Sequence, residues 1–84
     1  MGSIRVYNIT VVDSAGKTLL EYSMLAPGHS AQGTAEMIAA ELRDVVIGGV
    51  VIAEGHNEQI VVGIDSNAEE ALDEILRDHY GEKK

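Results

Sequence analysis

Short β-branched runs separated by polar turns dominate the chain, and two stretches change to helical spacing. Residues 4–12, IRVYNITVV, mix β-branched and aromatic side chains with alternating polar ones, the pattern of a half-buried strand. Asp13-Ser14-Ala15-Gly16-Lys17 supplies a glycine turn before TLLEYSML, residues 18–25, so this region predicts a β-hairpin. In residues 34–44, TAEMIAAELRD, the apolar positions Ala35, Ile38, Ala39 and Leu42 fall at i, i+3, i+4 and i+7 among strong helix formers. They predict an amphipathic helix with Thr34 as its N-cap.

Residues 45–55, VVIGGVVIAEG, and residues 60–65, IVVGID, predict a second hairpin, with Gly48-Gly49 marking a bulge, a bend or a close backbone approach. Ser66-Asn67-Ala68-Glu69 then has the S-x-x-E form of a capping box, with Ser66 as N-cap. The stripe Ala68, Ala71, Leu72, Ile75, Leu76 and His79 carries one helix to a C′ glycine, Gly81. The order ββαββα predicts a single α+β domain over residues 1–84, with residues 81–84 as a flexible tail. Its expected architecture is a four-stranded, mainly antiparallel sheet with two helices packed on one face.

The second hairpin has no polar face. Val45, Ile47, Val51 and Ala53 alternate with Val46, Val50 and Ile52, and Ile60, Val62 and Ile64 with Val61. An antiparallel strand with one wet face should alternate apolar with polar, so a sheet with both helices on one side leaves an apolar face to be covered. A homo-oligomer, or another chain docking there, is the expected cover.

Composition narrows the function. A chain of 84 residues forms one small domain, which buries about 60% of the surface of its unfolded form and has little room for a deep cleft. Apolar residues make up 45% and aromatics only 4%, so the core is aliphatic. The absence of cysteine excludes disulfides, thiolate nucleophiles and sulfur metal sites, and no apolar stretch near the N-terminus has membrane-spanning length. A cytoplasmic protein without a membrane role is expected. Fourteen acidic against six basic residues give a formal charge of −8, which opposes direct nucleic-acid binding and favours a basic protein partner. The plainer effect of the same charge is solubility.

Three groups of residues are candidates for chemistry. Gly28, Gln32, Gly33 and Thr34 lie in a loop with the G-x-x-x-x-G spacing of a phosphate cradle, although Thr34 stands where that motif has lysine. The plainer reading is a helix cap, and a ligand-binding loop stands beside it. His29, His56 and His79 form no H-x-x-x-H pair, and only His56 has carboxylates nearby in sequence, Glu54 and Glu58, so no metal site is expected. The last helix carries Glu69, Glu70, Asp73, Glu74 and Asp78 against Arg77. Like charges at i,i+4 cost about 0.2–0.5 kcal/mol each, so this row is either a solvated face or a partner-binding surface presented to a cationic groove.

Two family resemblances bear on the loop. Gly16, Pro27, Gly28, Gln32, Gly33, Thr34 and Glu36, within residues 12–42, resemble the hairpin, loop and helix of the HicB antitoxins. That resemblance implies an acidic protein that neutralises a small basic partner by binding it. Pro27 and Gln32-Gly33-x-Ala35 are also similar to the acyl-coenzyme-A loop of the GNAT acetyltransferases, which implies an acyl-CoA-binding protein. Binding is favoured over catalysis, since no residues form a catalytic set and no cofactor is expected. The leading expectation is an antitoxin- or inhibitor-like module for a basic nucleic-acid-handling partner, a class that includes phage-encoded anti-CRISPR proteins. A GNAT-like acyl-CoA-binding protein and a structural homo-oligomeric module are the alternatives.

Overall fold

The structure, a computed structural model, describes residues 6–25, 30–55 and 57–81. Strands β1 (Val6–Val12) and β2 (Thr18–Leu25) form the first hairpin, helix α1 (Ala31–Leu42) follows, and β3 (Val50–Gly55) and β4 (Glu58–Gly63) form the second. The chain closes with α2 (Ser66–Glu70) and α3 (Leu72–Tyr80). The α+β class and the antiparallel four-stranded sheet agree with the sequence; the strand order is β2-β1-β3-β4, with β1 and β3 joining the two hairpins.

The first turn is built by Asp13, whose Oδ1 accepts hydrogen bonds from the Ala15 and Lys17 amides, both at 2.9 Å. Gly16 takes φ +85°, where a β-carbon is disfavoured. Register follows polarity: Ile9 lies opposite both Tyr22 and Ala53, and Thr10 opposite both Glu21 and Ile52.

Helix placement departs from the expected one-sided arrangement. Ala31, Ala35, Ile38 and Ala39 of α1 pack with Tyr7, Ile9, Val11, Val51 and Ala53 on one face. Ala68 of α2 and Ile75 of α3 pack with Val12, Val50 and Ile52 on the other. Successive side chains of a strand point to opposite faces, so the apolar run of β3 feeds both cores. The apolar second face of the β3–β4 hairpin is thus covered by the chain's own C-terminal helices. Full burial of a side chain such as Ile75 contributes about 1.5–3 kcal/mol, which ties these helices to the sheet.

The third strand is also shorter than its apolar run. Residues 45–49 leave α1 in a turn, with the Val45 and Val46 amides donating to the Leu42 carbonyl at 2.9 and 2.8 Å. Gly48 takes φ +77°, and a β-carbon on Gly49 would stand 2.6 Å from the Val12 carbonyl oxygen. Of the three sequence readings of this glycine pair, two are observed: a bend at Gly48 and a close backbone approach at Gly49. Val45 and Ile47 are consequently about three-quarters exposed, at 74% and 75%.

Candidate functional site

The acidic C-terminal helices start at Asp65. Its Oδ1 accepts from the Ala68 amide at 2.9 Å and its Oδ2 from the Gly48 amide at 3.0 Å, so one carboxylate caps α2 and ties it to the loop entering β3. These bonds to Ala68 and then Gly48 hold the Asp65 carboxyl below the ordinary aspartate range, against a weaker opposing effect of burial. Asp65, rather than the expected Ser66, is therefore the N-cap, and Ser66 is the exposed first helical residue. An acidic residue one position upstream outcompetes the serine because its two oxygens reach two amides at once. The single helix expected here bends at Ala71, whose φ of −99° and ψ of 12° separate α2 from α3.

All five candidate carboxylates, Glu69, Glu70, Asp73, Glu74 and Asp78, are exposed, yet they do not form one row. Ile75 of α3 and Ala68 of α2 face the sheet, so by periodicity within each helix Asp73 and Glu74, beside Arg77, and Glu70 stand on the outward side. Glu69 lies at one flank, where a β-carbon on Gly63 would stand 2.6 Å from its Cγ, in a shallow groove shared with Glu36 and Arg43 of α1. Asp78 lies at the other flank against the first hairpin turn, where a β-carbon on Gly16 would stand 2.6 Å from its Cβ. The outward cluster is thus three carboxylates and one guanidinium, with two acidic flanks.

The glycine loop is organised as a cap. Gly28 and His29 lie outside the described residues, as do His56 and residues 82–84 of the expected tail. Ser30, not Thr34, is the N-cap of α1: its Oγ accepts from the Gly33 amide at 3.0 Å. Thr34 is fully buried in the first turn, and its hydroxyl donates to the Ser30 carbonyl at 2.9 Å. Gln32 donates to the Glu36 carboxylate at 3.1 Å. The N-cap lies four residues earlier than expected, and Ala31, fully buried at i−4 from Ala35, extends the apolar stripe to the helix start.

A surface that pattern reading overlooked lies on the α3 side of the first hairpin. Asn8, Thr10, Glu21, Ser23 and Glu54 line an open depression of about 360 Å³, and the Ser23 hydroxyl donates to Asn8 Oδ1 at 2.8 Å. Its signal was present in sequence as the even-numbered polar positions of β1 facing the odd-numbered ones of β2. Beside it, Gln59 donates to the Tyr80 hydroxyl at 3.1 Å. Partial burial, then the nearby Glu54 charge, raises the Tyr80 hydroxyl above its usual range, and partial burial with Glu41 does the same for Tyr22.

His79 sits near the C-terminus of α3, with Nδ1 3.2 Å from the Gly16 carbonyl and its ring edge-on to Tyr80 at 4.8 Å. Among the described residues, no three of His, Cys, Asp and Glu are placed to hold a metal ion, and no helix is long and apolar enough to cross a membrane. Comparison with protein-family models, with curated proteins and with solved structures gives no match.

Proposed function

We propose that this chain is a non-enzymatic acidic binding protein of the antitoxin or inhibitor kind, whose outward α2–α3 surface engages a basic, nucleic-acid-handling protein. The observation that carries the reading is the separation of roles on one helical segment. Ala68 and Ile75 anchor it to the sheet while Glu70, Asp73 and Glu74 stand exposed on its other side. Such a surface is open to a cationic groove, and a −8 chain adds a long-range field that steers a basic partner toward it. The HicB-like residues of the first hairpin and α1 agree with this role. The test is charge reversal on the outward face with the fold monitored in parallel: Glu70→Lys with Glu74→Lys should keep the circular dichroism spectrum and lose the partner. Full retention of binding at low ionic strength would remove the acidic surface from the mechanism.

A further inference from the structure

The two sheet edges are treated differently. Along β4 the chain's own helices stand close: Gly63 lies against Ala68 and Glu69 of α2, and α1 borders Val62 and Ile64. By contrast, every residue of β2 except Met24 is exposed, and Leu19, Leu20, Tyr22 and Leu25 are 49%, 47%, 39% and 61% exposed. Natural edge strands are usually blunted by lysine, proline, inward charge or a bulge; β2 carries one charged residue, Glu21, and its one irregularity, the extra residue Leu19, lies near its start and leaves Leu20–Leu25 in regular register. We infer that β2 is the seam of a homodimer, in which two copies pair antiparallel through β2 about a two-fold axis at Tyr22 and join two sheets into one of eight strands.

Residue polarity selects both the occupant and the register. Leu20, Tyr22 and Met24 lie opposite Val11, Ile9 and Tyr7 and so share the α1 face, while Glu21 and Ser23 lie opposite Thr10 and Asn8 on the other. Symmetric pairing keeps each face with itself only when the axis passes through a residue, and a slip by one residue sets apolar against polar. Two such registers keep nearly the whole strand paired. An axis at Glu21 places two carboxylates directly opposite each other, which is destabilising. An axis at Tyr22 places Tyr22 against its copy, Leu20 against Met24 and Glu21 against Ser23. Residues of equal parity also point their backbone groups the same way, so the outward amides and carbonyls of one copy meet those of the other. The joined apolar floor, six side chains from two copies, is flanked on each side by the α1 rim that carries Glu41, close enough to act on Tyr22. A second copy is self-complementary to this edge without any further residue.

Sedimentation equilibrium at micromolar concentration, combined with single-cysteine cross-linking in a chain that has no native cysteine, tests this. Wild type should sediment at twice the 9.0 kDa chain mass, and Tyr22→Lys, which opposes two ammonium groups at the axis, at the mass of one chain with an unchanged circular dichroism spectrum. Tyr22→Cys should oxidise to a covalent dimer at least tenfold faster than Val45→Cys, an exposed position away from the seam, and this readout stands even if Tyr22→Lys fails to fold. Wild type at the mass of one chain, a folded Tyr22→Lys that stays dimeric, or equal cross-linking at positions 22 and 45 would each overturn the proposal. The first outcome would leave the edge to a strand of a different protein.

Discussion

The Asp65 carboxylate and the Gly48 amide, 17 positions apart, meet at 3.0 Å, so the cap of the acidic helices also fastens the loop that leads into the central strand β3. The Asp65 bond to Ala68 completes the bridge. Removing Asp65 therefore loosens two elements, whereas removing Ser66 loosens neither. Asp65→Ala should lower the thermal midpoint clearly, Asp65→Asn less, because an amide oxygen can still accept one of the two bonds. Ser66→Ala should leave the midpoint unchanged. Differential scanning calorimetry of the three variants checks the ranking, and a large Ser66→Ala effect would contradict the assignment of the cap.

The same group sets an acid limit. Its folded pKa lies below the ordinary value of 3.8, so its contribution is fully present above pH 3.8 and is lost as the pH falls through the lower folded value. The alkaline side has the opposite origin. Tyr22 and Tyr80 are raised above 10.0 by partial burial and then by Glu41 and Glu54 respectively, so their contribution is present below pH 10.0 and lost as the pH rises through the raised values. Denaturant titrations across pH should show both losses, and Asp65→Asn should flatten the acid limb.

At the other helix start, Ser30→Ala should cost about 1 kcal/mol, the usual loss for an N-cap side chain, because the Gly33 amide loses its partner. Thr34→Val, which removes a buried hydroxyl that donates to Ser30, should also destabilise the first turn. Thermal melts of the two variants check this, and an unchanged midpoint for Ser30→Ala would place the cap elsewhere.

The first hairpin turn touches the acidic helix. Gly16→Ala should cost about 1–3 kcal/mol, since the residue holds φ +85° and its new β-carbon would stand 2.6 Å from the Asp78 Cβ. Chemical denaturation checks the magnitude. Gly16→Ala with Asp78→Gly should recover only a small part of the loss, because the new β-carbon would still stand 3.0 Å from the Asp78 carbonyl carbon and from the His79 nitrogen.

These contacts show where sequence pattern reaches its limit. Apolar spacing located all four strands and both helical regions, because burial on a sheet or helix face imposes a period that is visible locally. It misplaced the helices, both expected on one face: strand β3, residues 50–55, feeds two cores at once, and periodicity carries no information on which partner covers which side. The two cap assignments erred for different reasons: Thr34 followed the apolar spacing that starts at Ala35 and Ser66 followed its capping-box form, whereas Ser30 and Asp65, each upstream, are the residues whose side-chain oxygens accept the first-turn amides. For the candidate surface, the acidic residues were legible as a list, but the division into an outward trio and two flanks depends on Gly16 and Gly63 packing close to Asp78 and Glu69.

The role of that trio is tested most directly by capture from a lysate of the native host, with wild type and the Glu70→Lys/Glu74→Lys variant in parallel. The captured protein is then identified and its affinity measured at several salt concentrations. The variant should fold as wild type, since both positions are exposed and Glu74→Lys turns the like-charge Glu74–Asp78 pair of α3 into an attractive one worth about 0.2–0.5 kcal/mol. The captured partner should be basic, should bind the variant at least tenfold more weakly, mainly through a slower on-rate, and should bind wild type less tightly as salt screens charges beyond about 8–10 Å. A partner that binds the variant as tightly as wild type at low ionic strength, with no dependence on salt, would contradict an acidic recognition surface on α2 and α3.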